Sequence, residues 1–135
     1  MTASNNLTPR RTPLQTRARA VFWVLAAIIT ALALYPRLTL PEPAATEGTT
    51  QYYNHVLAFS TLIIVGSLAW GLRRHLVAGV TAGAIGLELA QTLSPGRQMT
   101  VSDMVASLAG VAIGCALLLL LRPVLRHIHR RRAAG

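Results

Sequence analysis

The sequence predicts an all-α fold, a four-helix transmembrane bundle with short loops, and three observations predict it. Hydrophobic residues make up 53 % of the 135 residues and charged ones only 13 %, a balance unlike that of ordinary soluble domains. The apolar residues gather into four blocks of roughly 16 to 20 residues, close to what a helix needs to cross the hydrocarbon layer. The arginines stand just outside those blocks, where the positive-inside rule collects them.

Residues 1–19 carry Thr, Asn, Pro and four arginines with little to bury, so they read as a disordered basic tail. The first helix is expected at about 20–36, stopped by Pro36 and Arg37. Ala31-Leu32-Ala33 has the look of a small-residue cleavage site. Removing that block would leave an odd number of spans, so the block is read as a retained helix. Leu38 to Gln51 holds Pro41, Pro43, Gly48, Glu42 and Glu47 and reads as an irregular loop.

The second helix is expected at about 53–72, with Tyr52, Tyr53 and Trp70 at the two membrane interfaces. Arg73-Arg74-His75 makes a basic turn into the third, about 76–93, which Ser94-Pro95-Gly96 ends. The fourth is expected at about 103–122, opened by Ser102 or Asp103 as N-cap and closed by Arg122-Pro123, with 123–135 as a basic tail. Residues 20–122 thus form one membrane domain between two tails.

Charge excludes some functions and orients the chain. A net charge of +9 raises nucleic acid as a partner, but the clustering of the arginines at block ends assigns them to the membrane surface instead. Placing both termini in the cytoplasm puts Arg10, Arg11, Arg17, Arg19, Arg73, Arg74, Arg122, Arg126, Arg130, Arg131 and Arg132 inside, and only Arg37 and Arg97 outside. Cys115 is the single cysteine, so there is no intrachain disulfide. His127 and His129 stand among arginines without further ligands, and neither a metal nor a cofactor is implied.

In this orientation His55, Glu88, Gln91, Arg97 and Asp103 share one level near the outer surface, with Ser107 about 6 Å below Asp103 at helical rise. An acid in a membrane helix lines a cavity or finds a partner, because facing lipid costs several kcal/mol. Asp103, Ser107, Gly110 and Gly114 fall on one stripe of the fourth helix, and Gly79, Gly83 and Gly86 on one stripe of the third. Small residues let backbones approach, so these stripes predict that the third and fourth helices pair. The bland alternative for the polar residues is a hydrogen-bond clamp fixing helix register, with Asp103 simply an N-cap.

Glu88-x-x-Gln91 followed by Arg97, Asp103, Gly110 and Gly114, with His55-x-x-x-Phe59 upstream, resembles the VanZ-like family of small bacterial membrane proteins. The resemblance covers about Tyr52 to Leu121. The family usually has an Asp-Lys pair where this chain has Gln51 and Tyr52, and an Asn where it has Ser107. The family is named for an association with resistance to the glycopeptide teicoplanin. It therefore implies a multi-pass protein of the bacterial cytoplasmic membrane with an envelope role, and no defined reaction.

The expected function is that of an envelope protein, non-enzymatic or of an activity not yet recognised, binding a lipid head group, a cell-wall precursor or a small amphipathic ligand at the outward cluster, with membrane lipids as partners and a homo-oligomer allowed. Alternatives are a small proton-coupled exporter using Glu88 and a membrane enzyme using Glu88 and His55 as acid and base. The arginine count makes a direct prediction. Reporters fused after Gly135 or inserted near Arg74 will be cytoplasmic and those near Glu47 or Gly96 external; a periplasmic C-terminus would overturn the assignment.

Overall fold

A computed structural model describes residues 12–35, 47–93 and 100–133, and Arg97 falls outside them. Four helices follow one another: α1 Pro13–Leu34, α2 Glu47–Trp70, α3 Arg74–Gln91 and α4 Val101–Ala133. No strand occurs among the described residues.

α1 begins well before the expected residue 20 because a capping box stands there. Thr12 Oγ1 accepts from the Gln15 N–H at 3.4 Å and Gln15 Oε1 accepts from the Thr12 N–H at 3.2 Å, with Pro13 in the first turn. Residues 13–19, expected in a disordered tail, are therefore helical. α1 stops at Tyr35, whose N–H still bonds Ala31 O at 2.9 Å; Pro36 follows in the sequence and disfavours helix at the residue before it. α2 likewise starts earlier than expected, taking in Glu47 to Gln51 from the segment read as loop.

Gly71 ends α2 with a φ of +77°, a left-handed conformation that glycine adopts without a Cβ penalty. The turn leaves only Leu72 and Arg73 before α3, so α2 and α3 run antiparallel. α4 opens on Thr100, whose Oγ1 accepts the Asp103 N–H at 3.2 Å. Thr100, not Ser102 or Asp103, is the capping side chain. α4 then runs through Pro123 to Ala133, past the proline expected to stop it. Proline removes one N–H bond, and here it does so beside the exposed Leu119 to Arg122, at the rim of the apolar span.

α2 is the central element. It contacts α1, α3 and α4, α3 also touches α1 and α4, and α1 and α4 do not meet among the described residues. Phe22, Phe59, Leu62, Ile63, Val80, Ala84 and Val111 form the buried core, three of them from α2. Outside this core the surface is apolar. Val24, Ile28, Leu57, Leu119 and Leu120 are all exposed, a display that only lipid or a partner would tolerate. Pro13–Leu34, Thr50–Trp70 and Val101–Pro123 are each long and apolar enough to cross a membrane. α3, at 18 residues, spans about 27 Å but carries Arg74, His75, Glu88 and Gln91, which lower its apolar content; it packs with the other three, and its Glu88 and Gln91 are buried.

The glycines pack differently from the expectation. A Cβ on Gly110 would lie 2.5 Å from Val56 O, and one on Gly114 would lie 2.9 Å from Ser60 O, so both glycines bring the α4 backbone onto α2. Gly79, Gly83 and Gly86 have nothing within 4 Å of a Cβ and open outward. α4 therefore uses its small residues on α2 and not on α3. Chain order offers the reason: α3 connects the two, and α2 and α4, both running the same way, are the pair close enough for backbone contact.

This geometry separates the glycines. Gly110→Ala and Gly114→Ala will each destabilise the bundle by about 1–3 kcal/mol, because the clash is with backbone. Gly79→Ala and Gly83→Ala will leave the detergent unfolding midpoint unchanged or raise it, helix propensity favouring alanine. Equal losses at all four positions would refute the packing described.

Candidate functional site

The site is assembled from the N-terminal turns of α2 and α4 and the C-terminal turn of α3. On α2, Gln51 and His55 are four residues apart and share a face; on α4, Asp103 and Ser107 do the same. Because the two helices are parallel, these pairs form two rungs. Gln51 Nε2 donates to Asp103 Oδ2 at 2.7 Å, and His55 Nδ1 lies 3.0 Å from Ser107 Oγ.

α3 brings Glu88 to the second rung. Its Oε1 is 3.3 Å from His55 Nδ1 and 3.5 Å from Ser107 Oγ. One proton arrangement satisfies all three contacts: His55 Nδ1–H donates toward Ser107 Oγ and Glu88 Oε1, and the Ser107 hydroxyl donates toward Glu88. Glu88 and Ser107 are 0 % exposed, Gln91 1 % and Asp103 3 %. Only His55, with a side chain 13 % exposed, and the half-buried Gln51 reach the rim.

Of the residues that the sequence singles out, His55, Glu88 and Ser107 touch one another. Asp103 stands one turn above Ser107 and is held by Gln51. Gln91 is buried one turn along from Glu88, and its Nε2 has no hydrogen-bond partner among the described residues. Arg97 lies outside the described residues. The residue that sequence reasoning missed is Gln51, noted there only as a departure from the family's usual pair. Its signal was present: it precedes His55 by four, the same spacing that links Asp103 to Ser107.

The chemistry of this arrangement is constrained by a single atom. In a hydrolytic triad the acid takes one imidazole nitrogen and the nucleophile the other, whereas here Glu88 and Ser107 both address Nδ1. Ser107 is also fully buried, so it orients the ring and is not placed as a nucleophile. Among the described residues, no three His, Cys, Asp or Glu side chains are grouped to hold a metal ion. What the cluster can do is hold an imidazole in one orientation and present it, with the Gln51 amide, at the rim.

No family model, curated protein or solved structure matches this chain.

The Gln51–Asp103 rung predicts non-additive energetics. Gln51→Leu and Asp103→Leu will each lower stability by about 1–3 kcal/mol by stranding a buried polar partner, and the double variant will lose less than the sum. Strict additivity in a detergent unfolding series would remove the rung from the account.

Proposed function

We propose that the protein is a multi-pass bacterial inner-membrane protein of the VanZ-like kind, with both termini cytoplasmic, whose polar cluster binds a lipid head group or cell-wall-related ligand at the outer surface. One observation carries the reading. Five polar side chains from three helices form two adjacent sets of hydrogen-bond contacts at one end of the bundle, Gln51 with Asp103 and His55 with Ser107 and Glu88. Polar groups in such a setting are costly unless they serve packing or a ligand. A pure register clamp has no need to leave its imidazole and one amide at the rim.

The division of labour follows from burial. His55 and Gln51 meet the ligand; Glu88, Ser107 and Asp103 fix their orientation, and Arg97 is expected to supply charge to an anionic group. All-helical crossing by α3 as well as the three more apolar helices is part of this reading, supported by the inward burial of Glu88 and Gln91. The arginine distribution supports the orientation.

A second reading, a small proton-coupled exporter, is favoured by the contact between Glu88 and His55, since buried carboxylate and imidazole pairs occur in membrane proton relays. The third reading, a membrane enzyme acting on a lipid-linked substrate with Glu88 and His55 as acid and base, has the pair in contact but no nucleophile placed beside it, and it ranks last.

Purified full-length chain screened by thermal shift against bacterial lipids and wall precursors will show a saturable stabilisation by at least one class. His55→Ala and Glu88→Gln will keep the fold and lose that stabilisation. Glu88→Gln retaining full ligand response would make the cluster a clamp. Proton-coupled flux in vesicles would replace the binding reading with the exporter.

A further inference from the structure

The opposite end of the bundle has a charge imbalance that nothing among the described residues corrects. The chain contains four acidic residues. Glu47, Glu88 and Asp103 stand on the ends of α2, α3 and α4 that hold the polar cluster, and Glu42 falls between α1 and α2 in sequence. The other end carries Arg17, Arg19, Arg73, Arg74, His75 and Arg122. Among the described residues none of these has an ion-pair partner, and neither α1 nor α3 has an acidic residue in its first turn.

The helices also give this end a defined seat. Gly66 on α2 sits against Leu76 of α3 and Phe22 of α1, a Cβ there lying 2.7 and 3.1 Å from their side chains. One turn outward from that meeting point on each helix are Trp70, Arg73 and Arg19. The Arg19 guanidinium carbon lies 5.3 Å from the Trp70 ring centroid, and Phe22 packs edge-on to Trp70 at 5.1 Å, fixing the indole. Arg19 Nε is covered, which leaves the terminal amino groups of the guanidinium as the atoms to meet a ligand. The first turn of α3 adds backbone N–H groups with no side-chain cap.

We propose that this end is a docking surface for the head groups of anionic phospholipids, seated at Arg19, Arg73 and Arg74 around Trp70. A lipid is favoured over a soluble polyanion because the arginines border an apolar belt. Trp23 is 64 % exposed and Leu14 65 %, so acyl chains can lie along the helices while the phosphate meets the guanidinium groups. The proposal is independent of the function assigned to the polar cluster at the other end, and of which leaflet the surface faces.

Full-length protein in neutral detergent, titrated with phosphatidylglycerol or phosphatidylcholine, tests it through native mass spectrometry and tryptophan emission, Trp70 lying inside the seat. The expected result is preferential, salt-sensitive binding of phosphatidylglycerol with a change in emission. Arg19→Gln/Arg73→Gln/Arg74→Gln will weaken it roughly a hundredfold, at about fivefold per arginine. Arg73→Gln/Arg74→Gln, which changes only exposed side chains, will weaken it about 25-fold and serves if the triple variant does not fold. Equal binding of the two lipids, unchanged affinity in both variants, or displacement of phosphatidylglycerol by equimolar inorganic phosphate or RNA would each overturn the proposal.

Discussion

The backbone contact between α2 and α4 is the constraint on which the rest of the molecule depends. Gly110 meets Val56 and Gly114 meets Ser60 at distances that leave no room for a Cβ. In lipid there is no hydrophobic drive to bring helices together, so close van der Waals contact and interhelical hydrogen bonds must do it. The two glycines set both the separation and the register. Once they are seated, Gln51 faces Asp103 and His55 faces Ser107 on the same helix. A shift of one residue along α4 would turn both polar side chains away by 100° and strand four buried or half-buried groups together.

α3 plays a different part. Its approach to the pair is made through side chains: Val80 and Ala84 in the core, then Glu88 and Gln91 at the end. The helix therefore closes the polar cluster from a third side without entering the α2–α4 seam. Glu88 Oε1 reaches both members of the second rung, so α3 is pinned where α2 and α4 are already fixed. Its glycines, facing outward, contribute nothing to that fixation.

Helix number and order were legible in the sequence because apolar blocks and the arginines between them report the bilayer directly. Helix ends were not. The apolar blocks mark the apolar span alone, and helices outrun it at either end, as α1 does next to Thr12 and α4 does beyond Pro123. The candidate site was legible where polarity is rare: Glu88 and Gln91 interrupt an apolar run, and His55, Asp103 and Ser107 stand at the heads of two others. Gln51 was not read as part of it because it lies beside a segment of turn residues, where a glutamine carries no surprise. The helix on which α4 seats its glycines was misread for a related reason, although α3 and α4 do touch. Glycine stripes on α3 and α4 are equivalent in sequence, and only the parallel placement of α2 against α4 decides which stripe is used.

The segregation of charge explains how one small bundle can host two chemically opposite ends. All-arginine basicity at the start of α1, the α2–α3 turn and the end of α4 leaves no acceptor for those guanidinium groups among the described residues. The acids of α3 and α4 are meanwhile consumed by histidine, serine and glutamine. Had an arginine been buried beside Glu88 in place of His55, it would hold a permanent positive charge there and keep Glu88 ionised as its counter-ion, a fully charged pair in a buried site. Histidine can give Nδ1–H to the carboxylate while remaining neutral. The cluster can therefore be closed around neutral or singly charged groups, and the described arginines of α1, the α2–α3 turn and α4 stand apart from it at the other end of the bundle.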